Sequence, residues 1–252
     1  MKGFSYLRIV IKLILDIGNT RVKSAIFNNK DLVSLEQFEK ADVNTLADVF
    51  GKFKPNAAIV SSVIDLPSAF YENLSQLAPI IRLDSKTPTP ITLKYLSPSL
   101  GTDRLAAALG SFSTYPDSDV LSIDCGTCIK YDFVNAEKEY LGGAISPGLQ
   151  MRLKSLHDFT GKLPLVHLAS PSDLIGNTTD TSILSGVVNG AQFEMEGMIS
   201  HYRAQYPELK VILTGGDSKY FEGKFKNDIF VLPNLVLTGL NEILDYNVKV
   251  VL

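Results

Sequence analysis

An α/β fold built from two related domains is predicted by three features of the 252-residue sequence. The run Leu13-Ile14-Leu15-Asp16 ends on a carboxylate and is followed by a glycine turn and a second apolar run, Val22–Phe27. The pattern returns at Val120-Leu121-Ser122-Ile123-Asp124, with Gly126-Thr127 as the turn and Ile129–Val134 as the second run. Setting Asp16 on Asp124 also sets Gly18 on Gly126, so both halves begin strand–Asp–x–Gly–turn–strand. Residues 1–112 and residues 113–252 are the two expected domains.

The intervening elements follow from periodicity. Val43, Leu46, Val49, Phe50 and Phe53 have helical spacing, while Ala57–Val63 and Ile80–Leu83 are continuous apolar runs expected as strands. Pro88, Pro90 and Pro98 make 86–99 an irregular loop with a short strand at Ile91–Leu93. A helix is expected over Thr102–Leu109, where Ala106-Ala107-Ala108 are strong helix formers. Gly142-Gly143-Ala144-Ile145-Ser146-Pro147-Gly148 reads as a glycine-rich loop after a strand. A helix of about 24 residues is expected from Ser182, with Thr181 as its N-cap. Its apolar face holds Ile183, Val187, Val188, Ala191, Met195, Met198, Ile199 and Tyr202. Gly186, Gly190 and Gly197 on the same helix suit either close approach of a second subunit or ordinary core packing. Val211–Leu213 is a strand running into Thr214-Gly215-Gly216-Asp217.

Composition narrows the function class. Apolar residues make up 45% and charged residues 20%, enough for a packed core and unlike disordered, collagen-like or coiled-coil chains. A formal net charge of −3 supplies no general basic field for nucleic acid or an anionic membrane. Two cysteines build no disulfide scaffold. Residues 4–12 carry Arg8 and Lys12 inside their apolar run without a small-residue cleavage site, and no run approaches the about 18 apolar residues of a membrane helix. A cytoplasmic location is expected.

The sharpest chemical signal is Asp16-Ile17-Gly18-Asn19-Thr20. A Gly-rich turn between strands presents N–H groups and a hydroxyl to phosphate oxygens, and a strand-end carboxylate holds Mg²⁺ through water. Arg21 and Lys23 follow as countercharges. The competing reading is a tight hairpin in which Gly and Asn only supply φ > 0. Asp124-Cys125-Gly126-Thr127 repeats the arrangement, and two such hairpins facing one cleft would make a nucleotide and cation site. Cys125-Gly126-Thr127-Cys128 has redox or zinc spacing, but no second cysteine pair exists and His157, His167 and His201 lack ligand spacing, so two small buried thiols are expected. Gly101-Thr102-Asp103-Arg104 opens a helix. Asp103 there is either a first-turn carboxylate favoured by the dipole or a general base beside a substrate-binding arginine. Thr214-Gly215-Gly216-Asp217 fits a helix-start turn or a nucleotide contact. P-loop, dinucleotide-binding and nucleophile-elbow motifs do not occur in the sequence.

Taken in order, these motifs resemble the type III pantothenate kinases of the acetate and sugar kinase/Hsp70/actin superfamily. The matching stretches are DIGNT (16–20), GTDR (101–104), DCGT (124–127), GGAISPG (142–148), KLPLV (162–166), IGNTT (175–179), GVVNGA (186–191) and TGGDS (214–218). The resemblance implies two duplicated ribonuclease H-like (actin-like ATPase) domains, with mixed sheets flanked by helices, and a homodimer. It implies ATP-dependent phosphorylation of pantothenate to 4′-phosphopantothenate, the first step of coenzyme A synthesis. Carried over by motif, Asp16, Ile17, Gly18, Asn19, Thr20, Arg21, Val22 and Lys23 contact ATP phosphates, Asp16 through Mg²⁺, and Thr127 also meets ATP. Asp103 is the general base. Tyr95, Gly101, Thr102, Asp103, Arg104 and Thr179 line the pantothenate pocket, and Asp124 holds a monovalent cation, K⁺ or NH₄⁺.

The chain departs from the family in three places. Cys128-Ile129-Lys130 follows the second Asp-x-Gly-Thr where small residues and threonines are usual. The loop from Tyr95 to Gly101 is one residue short. About a dozen residues precede the first strand, where the family starts close to it. The competing readings are a regulatory nucleotide-binding protein on the same scaffold and another superfamily phosphotransferase, such as a sugar kinase or an exopolyphosphatase. Asp16, Asp103 and Asp124 together favour an enzyme over a pure binding module, and those other phosphotransferases are commonly longer.

Overall fold

Alternation of Leu13, Leu15 and Ile17 with Ile14 and Asp16 makes the first strand two-faced, and the whole of one sheet is organised around it. The computed structural model describes residues 11–18, 21–39, 43–97, 100–169, 173–225 and 229–251. Two compact units emerge: residues 1–90, 96–110 and 236–252 form unit 1, and residues 91–95 and 111–235 form unit 2.

In unit 1, β1 (Ile11–Ile17), β2 (Val22–Asn28) and β3 (Asp31–Phe38) form an antiparallel meander. Two further strands, β4 (Ala57–Ser62) and β5 (Ile80–Arg82), add in parallel, giving the order β3-β2-β1-β4-β5. The crossovers are α1 (Val43–Phe53) and α2 (Ser68–Ser75). Leu13, Leu15 and Ile17 pack with Leu46, Val49 and Phe50 of α1 and with Phe70 and Leu74 of α2. On the other face, buried Lys12 reaches Asp245 at 2.6 Å. Asp245 lies on α6 (Leu235–Val251), which also donates from Asn241 to the Asn29 carbonyl. Gly239 of α6 lies against α3 (Thr102–Thr114), where a Cβ would stand 1.7 Å from the Ala106 carbonyl oxygen.

Unit 2 repeats the strand order. Here β7 (Val120–Cys125), β8 (Cys128–Val134) and β9 (Glu139–Pro147) form the meander, and β10 (Lys210–Thr214) and β11 (Phe230–Val231) add in parallel beside β7. The short β6 (Thr92–Leu93) joins the outer edge parallel to β9, which is why residues 91–95 belong with unit 2. Leu121, Ile123 and Cys125 face a core shared with Leu149 and Leu153 of α4 (Leu149–Asp158) and the apolar face of α5 (Thr179–Gln205). Ile183, Val187, Val188, Ala191, Met195 and Ile199 are buried there, with Met198 and Tyr202 packed against them, as the sequence pattern predicts.

Several elements differ from the sequence expectations. Most of the 142–148 segment is strand rather than loop. Gly143 fits the sheet because it lacks a side chain, since a Cβ would fall 1.7 Å from the Tyr131 carbonyl oxygen. Gly142 takes φ +106° at a bulge where the register shifts between Phe133 and Val134. Helix α5 starts at Thr179 and its N-cap is Thr178; Thr181 is the N3 partner in a reciprocal capping box, with both threonine side chains accepting a backbone N–H. Helix α3 runs to Thr114, beyond the alanines. Among the described residues no helix is long and apolar enough to cross a membrane. The sequence reading of residues 4–10 lies outside the described residues.

Two alanine substitutions test this packing. Gly51 of α1 is exposed with nothing within 4 Å of an added Cβ, so Gly51→Ala should stabilise the protein by about 1 kcal/mol. Gly239→Ala should destabilise it by about 3 kcal/mol, because the obstructing atoms are backbone. Thermal or denaturant unfolding checks both signs.

Candidate active site

Antiparallel pairing decides what flanks each strand-end carboxylate. Asp16, next to last in β1, lies directly opposite Lys23 of β2, and both are half-buried. The Gly18 N–H donates to the Arg21 carbonyl at 3.0 Å and closes the turn. Ile17 and Val22 are buried in the core, the Ile17 carbonyl accepts the Val63 N–H at 3.0 Å, and Arg21 is exposed. Asn19 and Thr20 fall outside the described residues.

In unit 2 the same register sets Asp124 opposite Lys130. Here the pair closes: Lys130 Nζ stands 2.7 Å from Asp124 Oδ2, with side-chain exposures of 17% and 13%. The turn beyond is held by Gly126 N–H donating to the Cys128 carbonyl and Gly148 N–H donating to the Thr127 carbonyl, each at 3.1 Å. Thr127 itself is exposed. A Cβ on Gly148 would lie 2.2 Å from the Gly126 oxygen and 2.5 Å from the Thr127 oxygen, so the β9–α4 junction packs directly on the turn.

That junction is pinned from below. Glu194 of α5 accepts from Tyr131 at 3.0 Å, from Ser146 at 2.5 Å and from Arg152, while Arg152 Nε donates to the Pro147 carbonyl at 2.8 Å. Burial works to raise the Glu194 carboxyl, but the Ser146 and Arg152 hydrogen bonds, the Arg152 charge and the Tyr131 hydrogen bond outweigh it and hold it below its usual range.

Thr214-Gly215-Gly216-Asp217 follows β10 onto the same strand ends. Gly215 has φ +91°, and a Cβ there would sit 2.4 Å from Asp124 Oδ1. The Asp217 N–H donates to the Cys125 carbonyl at 2.9 Å. Burial pushes the Asp217 carboxyl up, Lys219 pulls it partly back and the Asp124 charge adds to the rise. Cys125 is buried with Sγ 3.7 Å from Met195 Sδ, and burial, then the Asp124 and Asp217 charges, push its thiol pKa up. An inert thiol results, as expected of a packing residue.

The remaining residues named from sequence sort by unit. Gly101, Thr102, Asp103 and Arg104 open α3 in unit 1. Asp103 Oδ1 accepts the Arg104 N–H at 2.9 Å, and Ser61 of β4 donates to Thr102 Oγ1 at 3.0 Å. Thr102 borders a cavity of about 230 Å³ with Ser62, Tyr71, Arg82 and Asp84. Tyr95 belongs to unit 2, where its ring packs on Gly142 and lies 5.9 Å from the Tyr140 ring. Thr179 is exposed at the start of α5, beside a cavity of about 710 Å³ lined by Leu163, Gly176, Asn177 and Thr178. Asp124 and Lys130 were each named from sequence, but not their pairing, and Ser61 and the Glu194–Arg152 brace were not singled out. Counting antiparallel partners outward from Thr127 is the signal that finds Lys130.

The chain matches the type III pantothenate kinase family over residues 12–201. It belongs to that family. The type III pantothenate kinase of Bacteroides fragilis strain ATCC 25285 is 45% identical over 94% of this chain and 98% of its own length. That of Phocaeicola vulgatus is 44% identical over 95% and 100%. Among solved structures, a putative Baf family transcriptional activator from Campylobacter jejuni shares 21% identity at a TM-score of 0.59, covering 94% of this chain and 99% of that one. A glucokinase from an Antarctic psychrotroph shares 12% at 0.53, covering 95% and 100%. These likenesses show the fold alone, two mixed sheets flanked by helices.

For a type III pantothenate kinase, ATP and a divalent metal follow from the family. Among the described residues no cluster of three or more His, Cys, Asp or Glu forms an all-protein metal site. Mg²⁺ bound chiefly by phosphate oxygens needs only one or two carboxylates, so half-buried Asp16 at its strand end fits. The monovalent cation implied for Asp124 does not fit as well, because the Lys130 ammonium already engages Oδ2.

Gly148→Ala should drive the Gly126–Thr127 turn out of place and lower kcat/KM for ATP by roughly 10²-fold, the cost of an ångström-scale misplacement. Steady-state kinetics with a melting curve on the same sample checks that the fold persists.

Proposed function

We infer that this chain transfers the γ-phosphoryl group of ATP to the hydroxyl of pantothenate, giving 4′-phosphopantothenate in the first step of coenzyme A synthesis. The observation that carries the reading is kinship with type III pantothenate kinases at 45% identity over nearly all of both chains. Phosphoryl transfer asks a protein mainly to position two reactants and neutralise charge. Both substrates are anions and the chain is itself net negative, so local cations must hold them.

In this reading residues 16–23 and Thr127 contact ATP, and Asp16 holds Mg²⁺ through water. Bound Mg²⁺ supplies charge neutralisation on the phosphates. Asp103 accepts the hydroxyl proton as oxygen attacks phosphorus. Its place in the first turn of α3, next to Thr102 at the mouth of the cavity of about 230 Å³, supports the assignment. Arg104 pairs with the pantothenate carboxylate, and Tyr95, Gly101, Thr102 and Thr179 complete the pocket. A homodimer through the outer face of α5 is supported by Gly186, Gly190 and Gly197, where an added Cβ meets nothing within 4 Å, and by Phe193, 53% exposed on the same helix. Two free cysteines support a cytoplasmic location.

A coupled ADP-release assay tests the reading: pantothenate and Mg²⁺ should both be required, and no pantothenate-dependent release would overturn it. Asp103→Asn should lower kcat by roughly 10²–10⁴-fold with folding intact. Near-normal kcat would leave Asp103 only its helix-start role.

A further inference from the structure

Three places outside the described chemistry invite a proposal: the cavity at the start of α5, the Glu194–Arg152 brace and the Lys130–Asp124 pair. The first overlaps the pocket already assigned to Thr179, and the second acts as packing. The third is a charge placed by the backbone at a phosphate turn.

We propose that the Lys130 ammonium is the resident cation of the Asp124 site, so that this kinase needs no diffusible monovalent cation. The proposal rests on the kinase reading above. Three observations support it. Lys130 is the direct antiparallel partner of Asp124, so the strand register itself delivers the charge. The 2.7 Å separation and the low exposure of both side chains leave Oδ2 engaged and the pair shielded from water. Oδ1 is hemmed by the backbone of Gly215 and Gly126, where added Cβ atoms would lie 2.4 and 3.8 Å away. A metal ion approaching Asp124 would therefore meet like charge on one oxygen and little room at the other.

The role is electrostatic. Asp124 lies two residues before Gly126, at a turn that must accept a polyanion. An unpaired carboxylate there would repel phosphate; a lysine held in register cancels that charge whatever the ionic composition around the protein. Lys130 is thus a positioning residue, acting through Asp124 and the turn.

The test compares K⁺, NH₄⁺, Na⁺ and choline at constant ionic strength in the ADP-release assay, using the full chain. Wild type should show kcat/KM for ATP equal within about twofold in all four. Lys130→Thr should lose at least about tenfold in choline and regain it in K⁺ or NH₄⁺, while Lys130→Arg should stay cation-independent whatever its kcat. Melting temperature supplies a second readout: K⁺ in place of choline should leave wild type unchanged and raise Lys130→Thr. Activation of wild type by K⁺ of tenfold or more, or a K⁺-dependent rise in its melting temperature, overturns the proposal. A Lys130→Thr protein with full activity in choline also overturns it. Wild type inactive in all four salts overturns the kinase reading instead, and the melting comparison then decides the role of Lys130 by itself. If Lys130→Thr does not fold, the wild-type comparison alone still decides.

Discussion

Each sheet is built around one constraint: an antiparallel hairpin whose outgoing strand ends on a carboxylate and whose return strand sets a lysine opposite it. Asp16 faces Lys23 in one unit and Asp124 faces Lys130 in the other. Because strand side chains alternate faces, a slip of one residue would send both charges into the apolar layer that Leu15 and Ile17, or Ile123 and Cys125, occupy. Burial of the faces that carry Leu13, Leu15, Ile17, Val22 and Ile26 in one unit, and Leu121, Ile123, Ile129 and Tyr131 in the other, therefore fixes the register, and the register fixes the electrostatics of the turn. Hydrophobic packing and ligand chemistry are two faces of the same strands.

The rest of each unit serves to hold those strand ends still. In unit 1 the buried Lys12–Asp245 pair and the close contact at Gly239 tie α6 to β1 and α3. Breaking such a pair leaves an uncompensated charge in the interior, so it specifies one seat for the helix more than it adds stability. In unit 2 the Glu194–Arg152 brace and the absence of a side chain at Gly148 bring the end of β9 onto the Gly126–Thr127 turn. The Gly126 N–H to Cys128 and Gly148 N–H to Thr127 hydrogen bonds then hold that turn in one arrangement.

Much of this was legible in the sequence, for identifiable reasons. Strands β1 and β7 are buried on at least one full face and read as uninterrupted apolar runs, and α5 carries its buried face from Ile183 to Ile199, about five turns. The repeated Asp-x-Gly turn announced the common strand order. Other elements gave weaker signals. Helices α2 and α4 each bury only two residues, Phe70 and Leu74 or Leu149 and Leu153, too few for a clear period. Strand β3 lies at a sheet edge with Leu32 and Val33 exposed, so its alternation is blurred. Gly142-Gly143 looked like loop because glycine signals a turn; in β9 it answers a close approach to Tyr131 that only the neighbouring strand reveals. The return of residues 236–252 to unit 1 depends on long-range contacts such as Lys12–Asp245, which no local pattern encodes. Among site residues, those inside motifs were found, whereas Lys130 was visible only as a departure after one, and its pairing with Asp124 needed the register.

Phosphoryl transfer as proposed turns on the carboxylate at the tip of β1 binding the nucleotide through its metal. Calorimetric titration of a non-hydrolysable ATP analogue into wild type and Asp16→Asn, each with and without Mg²⁺, measures this directly. Mg²⁺ should tighten binding to wild type, and Asp16→Asn should lose most of that increment, converging on the metal-free affinity. Equal tightening by Mg²⁺ in both proteins would contradict it.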